Sequence, residues 1–319
     1  MLKGIFREAS PPAKLTVTGT VVAFSFALVA IVSLLILKLG ATLDIGMVSN
    51  PITNEFIAAH VNTFKFLQLL QSFGLFVIPP FLIAYLVGNS TTQYLQLRGS
   101  SSAYAYLLAP LLIVASIPFI NYLSALNEGL RLPASMKSLE NLMKESEQNA
   151  DMLTQTFIHA GNLKVLAFNL FMIALLPAIG EELLFRGILL RQFAEWTRSQ
   201  HAGVWISAFI FSFIHFQFYG FLPRLVLGAL LGYTFIFTGS LWVPILAHFS
   251  NNAMAVIFYY LYDAGKIKNT ADEIGAQPGD FYKAFLSLIL LAGLMILLYH
   301  SGNQGEKIRR GEGKPAQKY

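Results

Sequence analysis

Two adjacent carboxylates and an arginine lie in an otherwise apolar stretch of this sequence. Glu181 and Glu182 are followed by Arg186, four residues after Glu182. Ionisable groups inside apolar, membrane-length segments are costly, and this makes them candidates for function. Residues four apart share a helix face, so the spacing predicts an ion pair between Glu182 and Arg186 in the favourable acid-first order. Glu181 is rotated by about 100° from Glu182 and has no basic residue three or four positions later. It is the better candidate for a general base that activates water.

Two histidines lie in later apolar stretches, each with a partner four residues away. His215 follows Phe211, and His248 precedes Asn252. The Phe211 ring can pack on the His215 imidazole and fix its orientation. His248 and Asn252 share a helix face and can donate hydrogen bonds together, which suits stabilisation of an oxyanion. Each motif alone also fits a structural ion pair or a helix-helix contact, but their clustering within 181–252 predicts one shared site.

Membrane-spanning helices must position these side chains. The chain of 319 residues is 55% hydrophobic and 12% charged, against about 25% charged residues in a soluble domain. Its apolar blocks of about 20 residues are long enough to cross a hydrocarbon core of about 30 Å. The sequence therefore predicts an all-α polytopic membrane protein with about eight transmembrane helices around an intramembrane cavity. The predicted spans are roughly 15–38, 65–87, 103–123, 164–194, 202–219, 222–239, 241–262 and 282–300.

These spans predict a single transmembrane domain over 15–300, with a catalytic core at about 165–260. A cytoplasmic segment, 1–14, precedes it, and a basic tail over 301–319 is predicted to be disordered in the cytoplasm. The long loop at about 124–163 is predicted to be extracytoplasmic. Its amphipathic stretch indicates either a connector helix or a helix on the membrane surface beside a site.

The basic residues indicate how the chain is oriented in the membrane. The net charge is +5, but the lysines and arginines are concentrated beside apolar blocks, so a nucleic-acid partner is not expected. Basic residues outnumber acidic ones in the segments 1–14, 88–102, 195–201 and 301–319. The positive-inside rule therefore places both termini in the cytoplasm, and we expect an integral protein of a prokaryotic plasma (inner) membrane. The chain contains no cysteine, which excludes disulfides, thiolate nucleophiles and zinc-thiolate sites.

Glu181 and His215 are level in the membrane only if the fourth helix is long. His215 lies about 20 Å into its own span if that span begins at the membrane surface. A tilted fourth helix centred near Glu181 and continuing past Arg191 would bring the two side chains together. We expect the resulting site to open to the cytoplasm.

The three motifs together resemble those of the CAAX-protease and bacteriocin-processing (CPBP, or Abi) family of intramembrane endopeptidases. The resemblance depends on Glu181-Glu182-x-x-x-Arg186, Phe211-x-x-x-His215 and His248-x-x-x-Asn252, in this order and within membrane spans. It covers about 165–260 and implies eight helices around a water-filled cavity in which peptide bonds of membrane-associated substrates are hydrolysed.

The resemblance also implies a role for each motif residue. Glu181 and His215 would activate water, and His248 and Asn252 would stabilise the oxyanion. Glu182 and Arg186 would form a supporting ion pair. Two histidines and a glutamate could ligate zinc, but the His-Glu-x-x-His helix of zinc proteases is absent. We therefore expect no metal or other cofactor, with zinc as the less favoured alternative.

Three functions fit this pattern. The favoured one is an intramembrane endopeptidase acting on a membrane-tethered protein or peptide, with the lipid bilayer as its surroundings. The alternatives are a non-catalytic membrane scaffold or bacteriocin-immunity-type protein that keeps the fold, and a proton-coupled transporter, which is disfavoured because no repeated halves are found. The sequence shows no prenyl-binding feature.

Overall fold

The computed structural model describes residues 2–39, 57, 59–99, 101–269, 271–277 and 279–309, and in this part the chain forms helices and no strands. The longer helices are α1 (Pro11–Leu39), α2 (Val61–Val87), α3 (Ala103–Glu128), α4 (Lys137–Ile158), α5 (Leu163–Thr197), α6 (Gln200–Phe213), α7 (Phe221–Thr238), α8 (Trp242–Asp263) and α9 (Phe281–Arg309). The predicted all-α fold is confirmed.

Six of the described helices are long and apolar enough to span a membrane: α1, α2, α3, α5, α7 and α9. The protein is an integral membrane protein, but the expected count of eight spans is not confirmed. Helix α6 has 14 residues and reaches only about 21 Å, less than the hydrocarbon core. Helix α8 has 22 residues, but it is not among the six because His248, Asn251 and Asn252 lower its mean hydropathy.

Helix α5 is one continuous helix of 35 residues. Asn162 caps its start, because its side-chain oxygen accepts hydrogen bonds from two backbone N–H groups of the first turn. Two π-helical segments, Leu170–Leu175 and Leu183–Leu190, lie within it. Glu181 is near the middle of the helix, as the predicted long fourth helix requires. Wide π-helical turns recur at functional sites, and here they lie on both sides of the carboxylate pair.

Helices α6 and α7 approach each other closely at two glycines of α7. A Cβ atom on Gly228 would lie 3.2 Å from the Cβ of Ala208, and one on Gly232 would lie 3.0 Å from a methyl group of Val204. Because glycine lacks a side chain, the α7 backbone can pack directly on α6. This contact brings the backbone of α7 to the site.

Helix α1 packs on the outside of the bundle, and large apolar side chains such as Phe24 and Leu34 are exposed to the surroundings. Polar contacts fix its first turns to α5: Lys14 Nζ lies 2.8 Å from Glu195 Oε1, and Thr18 donates to Gln192 Oε1 at 2.9 Å. A lipid-facing helix with polar anchors at one end is typical of a membrane protein.

The ends of the chain and the long loop differ in part from the sequence-based expectation. Helix α9 continues to Arg309, so the predicted disordered tail over 301–319 is helical over its first residues. Residues 310–319 lie outside the described part of the chain. The loop predicted at 124–163 contains the 22-residue helix α4, and the amphipathic stretch predicted there lies at its start. The division into domains otherwise stays a prediction.

Candidate active site

Glu182 and Arg186 form an ion pair that is almost entirely buried. Arg186 Nη1 donates to Glu182 Oε1 at 2.6 Å, and the two side chains are 0% and 1% exposed. Arg186 Nη2 donates to the backbone carbonyl of Gly228 at 2.8 Å. The guanidinium therefore connects α5 to α7 at the point where the missing Cβ of Gly228 allows close approach. A buried charge of this kind is tolerated because its partners replace water.

His248 connects α8 to both carboxylates of α5. Its Nδ1 lies 2.8 Å from Glu182 Oε1, and its Nε2 lies 3.7 Å from Glu181 Oε2. Since the Glu182 carboxylate only accepts hydrogen bonds when ionised, Nδ1 carries the proton in that state. Glu182 thus fixes the orientation of the His248 ring, with Nε2 facing Glu181.

The ring of Phe211 lies between the two site histidines. Its centroid is 5.1 Å from that of His215 and 5.9 Å from that of His248, both in edge-to-face geometry. The Arg186 guanidinium lies 5.1 Å from the same centroid. The predicted contact of Phe211 with His215 is present, and the ring also orients residues from α5 and α8.

His215 follows the end of α6, and one hydrogen bond fixes its ring. Its Nδ1 lies 2.7 Å from the backbone carbonyl of Phe211. Because a carbonyl only accepts, Nδ1 is the donor and the neutral imidazole keeps a lone pair on Nε2. This tautomer can accept a proton or a hydrogen bond through Nε2.

Asn252 lies one turn after His248 on α8. Its side-chain oxygen accepts a hydrogen bond from Asn251 Nδ2 at 3.1 Å. Because this oxygen accepts from Asn251, the Nδ2 group of Asn252 is the part of the side chain that can donate to a substrate. On a helix the four-residue spacing places this amide on the same face as His248.

Arg224 is a charged neighbour of the site that the sequence analysis missed. It lies in the first turn of α7, within electrostatic reach of Glu181 and of His215. Its Nη2 donates to Gln217 Oε1 at 2.8 Å. An arginine in the first turn of a predicted span was the available signal, since the cost of an ionisable group in an apolar span makes it a candidate.

The loop over 214–220 closes one side of the site and is held by two other helices. Asn127 of α3 donates to the carbonyl of Phe218 and accepts from the N–H of Leu222. From α4, Ser146 donates to the carbonyl of Phe216, and Glu147 accepts from the N–H of Tyr219. The predicted long loop therefore contributes a helix that packs against the site.

Burial raises the pKa of Glu147 above its usual range, against the lowering effects of the Tyr219 N–H and the Arg224 charge. Burial also raises the pKa of Asp151, one turn later on α4, and Arg224 again opposes the shift. Two acidic groups of α4 thus face the same arginine as Glu181.

His215 lies at the expected depth along its span, at the end remote from the turn between α5 and α6. His215 follows the last turn of α6, about 21 Å from the start of that helix. The turn between α5 and α6, which belongs to the predicted cytoplasmic segment 195–201, is at the far end. The contacts of the loop over 214–220 with α4 place this end of the site nearer to α4 than to that turn, and a cytoplasmic opening stays a prediction. The orientation of the chain in the membrane stays a prediction.

Within the described residues, no group of three or more histidine and acidic side chains is arranged to hold a metal ion. Glu182 is the carboxylate nearest to His248, and it is already paired with Arg186.

Comparison with known proteins agrees with the motif order. Residues 163–254 match the family model described as type II CAAX prenyl endopeptidase Rce1-like. This segment runs from the start of α5 into α8 and includes Glu181, His215, His248 and Asn252. The resemblance to the CAAX-protease family is thus confirmed for this segment, and that family is a peptidase family.

One curated protein is similar to part of this chain. The uncharacterized protein YpbD of Bacillus subtilis (strain 168) is 33% identical over 90 residues, which cover 27% of this chain and 43% of that protein. The match thus spans less than half of YpbD. No solved structure matches this chain significantly.

Proposed function

We propose that this protein is an intramembrane endopeptidase that hydrolyses a peptide bond of a membrane-tethered protein or peptide with a water molecule activated by Glu181. One observation carries the proposal: side chains from α5, the end of α6 and α8 converge around the Phe211 ring. The match of the segment over 163–254 to a peptidase family supports the same activity.

In the proposed reaction, Glu181 accepts a proton from water as the water oxygen attacks the carbonyl carbon of the substrate. His215 accepts a hydrogen bond from that water through Nε2, because its Nδ1 is committed to the Phe211 carbonyl. The carbonyl oxygen becomes an oxyanion, to which His248 Nε2 and the Asn252 amide donate. Glu181 then gives its proton to the leaving nitrogen, and the C–N bond breaks to yield a carboxylate and an amine.

Glu182 and Arg186 act as positioning residues in this scheme. Glu182 accepts the hydrogen bond from Nδ1 of His248 and so directs Nε2 of that ring towards the oxyanion. Arg186 offsets the cost of burying the Glu182 carboxylate and fixes it against α7. The scheme uses no metal ion and no organic cofactor.

The proposed setting is a prokaryotic plasma membrane with both termini in the cytoplasm, as the distribution of basic residues predicts. The lipid bilayer presents the tethered substrate to the site. Whether a substrate carries a prenyl group is a separate question, because none of the contacts described above defines a prenyl-binding surface.

The test uses purified protein in liposomes with a mixture of quenched peptides, each tethered to the membrane by an acyl or a prenyl chain. We expect wild type to cleave at least one peptide, and the double variant Glu181→Gln/His215→Ala to cleave none. Mass spectrometry of the products identifies the bond. Folded wild-type protein that cleaves no peptide, together with full function of the double variant in cells, would favour a scaffold instead.

A chelator separates the metal-free reaction from the zinc alternative. Cleavage by wild type should be unchanged after extended treatment with a strong chelator, because the proposed base and oxyanion donors are side chains. Loss of cleavage that zinc restores would assign the activation of water to a metal.

A further inference from the structure

Three adjoining clefts open on the face that carries the segments 88–102 and 195–201, far from Glu181. Their volumes are about 280, 270 and 350 Å³. All three are lined by Gln96, and the first two are also lined by Arg191. Arg98 lines the third. The clefts therefore adjoin one another around Gln96, between the loop after α2 and the last turns of α5.

Arg191 is held at these clefts without using all of its donors. Its guanidinium lies 4.5 Å from the centroid of the Tyr94 ring, which fixes the plane of the fork. Its Nη1 atom is buried and has no hydrogen-bond partner among the described residues. A buried guanidinium donor without an acceptor is costly, and an anionic oxygen would offset that cost with a strong, charge-assisted hydrogen bond.

Hydrogen bonds and a close backbone contact hold the loop that lines the clefts. Gln96 has a φ of 56°, a left-handed conformation that non-glycine residues rarely adopt. The Leu241 N–H donates to its carbonyl, and Trp242 Nε1 donates to the carbonyl of Leu97. A Cβ atom on Gly99 would lie 2.3 Å from the carbonyl oxygen of Gly239. These contacts hold Gln96 in its strained conformation against the turn before α8. Strained backbone of this kind is common where a site is preorganised.

The charges around the clefts favour an anion. None of the described residues that line them is acidic, while Arg98 and Arg191 are basic. Glu195 is the acidic neighbour of Arg191 on α5, and Lys14 pairs with it at 2.8 Å. The remaining lining groups include the amides Asn89, Gln93 and Gln96 and the hydroxyl of Ser90, which can donate to phosphate oxygens.

The clefts lie at the depth in the membrane where lipid headgroups are expected. Helix α2 ends at Val87, directly before the lining residues Asn89 and Ser90. Arg191 lies about 9 Å before the end of α5 at Thr197. The clefts therefore open where these two spanning helices leave the apolar layer.

We propose that the surface around these clefts binds a phosphate group, with Arg191 as its anchor and Gln96 and Arg98 as further contacts. The phosphate can belong to a phospholipid headgroup or be free in solution, and the chemistry of recognition is shared. The proposal is independent of the peptidase activity, since Arg191 takes no part in the proposed reaction.

The test is native mass spectrometry of the full-length protein, stripped of lipid in a mild detergent. The probes are phosphatidylglycerol, phosphatidylcholine and diacylglycerol with the same acyl chains. We expect wild type to retain either phospholipid at least about tenfold more strongly than diacylglycerol, and Arg191→Gln to lose about tenfold of that retention. A second experiment measures the binding of inorganic phosphate by isothermal titration calorimetry, with chloride at equal ionic strength as the reference.

The control is Arg198→Gln, because Arg198 is an exposed arginine of the same face that does not line the clefts. It should bind like wild type. If Arg191→Gln fails to fold, Gln96→Glu provides the second variant, since a negative charge there should repel phosphate to a similar extent.

Retention of phospholipid without binding of inorganic phosphate would assign the site to a headgroup, and binding of inorganic phosphate would assign it to the phosphate group alone. Both results support the proposal. Equal retention of diacylglycerol and phospholipid, with no binding of inorganic phosphate, would overturn it. So would equal losses in Arg191→Gln and Arg198→Gln, since anionic lipid would then be attracted by surface charge alone.

Discussion

His248 Nδ1 lies 2.8 Å from Glu182 Oε1, although the two residues are on different helices and 66 positions apart in the chain. The same carboxylate oxygen also accepts from Arg186 at 2.6 Å. Glu182 is therefore shared between a structural partner on its own helix and an imidazole of the site. This sharing couples the stability of the helix bundle to the orientation of His248.

The first prediction concerns the charge of Glu182. Glu182→Gln keeps the size of the side chain but leaves Arg186 buried without its counter-charge, and this should lower the free energy of unfolding by about 3–5 kcal/mol. Thermal unfolding in detergent measures the loss. Cleavage should also fall, because His248 loses the charged partner that fixes the orientation of its ring.

The double variant Glu182→Gln/Arg186→Met distinguishes these two effects. It removes both charges, so part of the lost stability should return while cleavage stays low. Additive losses of stability in the double variant would show that the two side chains are not coupled.

The second prediction concerns the ring of Phe211. Phe211→Leu keeps the backbone carbonyl that holds His215 but removes the ring that contacts both histidines. We expect kcat to fall by about tenfold with little change in KM, because the loosened imidazoles reach the reactive geometry less often. Phe209→Leu is the matched control, since Phe209 is 52% exposed on the same helix. Equal effects of the two variants would argue against a positioning role.

The third prediction concerns the pH dependence of the α4 contact. Burial raises the folded-state pKa of Glu147 above its unfolded value. An acidic group whose pKa is raised by folding stabilises the folded state fully below the unfolded pKa. This contribution to the free energy of unfolding is lost as pH rises through the raised pKa. Hydrogen exchange of the α4 amides, corrected for the intrinsic rate, should therefore show weaker protection as pH rises through that window.

Glu147→Gln should flatten this dependence, because the amide does not titrate. Glu145→Gln is the control, since Glu145 is exposed on the same helix. Protection of α4 that is independent of pH in wild type, or unchanged by Glu147→Gln, would disprove the link.

The fourth prediction concerns orientation, and the absence of cysteine from the chain makes it directly testable. Glu145→Cys on α4 should react with a membrane-impermeant maleimide added outside intact cells. Arg198→Cys, in the predicted cytoplasmic turn, should react only after permeabilisation. The reverse pattern would invert the predicted orientation and place the α4 side of the site in the cytoplasm.

The local part of the site could be predicted from the sequence. The four-residue spacing of Glu182 and Arg186, and of Phe211 and His215, determines contacts within a helix or at its end, where geometry is nearly fixed. The length of α5 followed from the need to bring Glu181 level with His215.

Contacts between distant parts of the chain could not be predicted in the same way. The bond from His248 to Glu182 depends on how α8 packs on α5, and a helix period does not specify that. Arg224 was overlooked because it lies at the start of its span, where an arginine is usually attributed to the membrane surface. The count of eight spans was not confirmed because α6 ends at Phe213, short of a full crossing, and because polar residues keep α8 from being apolar enough to be counted.

Glu181→Gln removes the proposed base, so the single-turnover rate of peptide cleavage by this variant is the most informative measurement on the proposed reaction. With substrate saturating, we expect this rate to fall at least about 100-fold relative to wild type. Substrate affinity and thermal unfolding should be unchanged, and Glu145→Gln should cleave like wild type. A single-turnover rate for Glu181→Gln within about twofold of wild type would show that Glu181 is not the base, because a glutamine at this position cannot accept the proton.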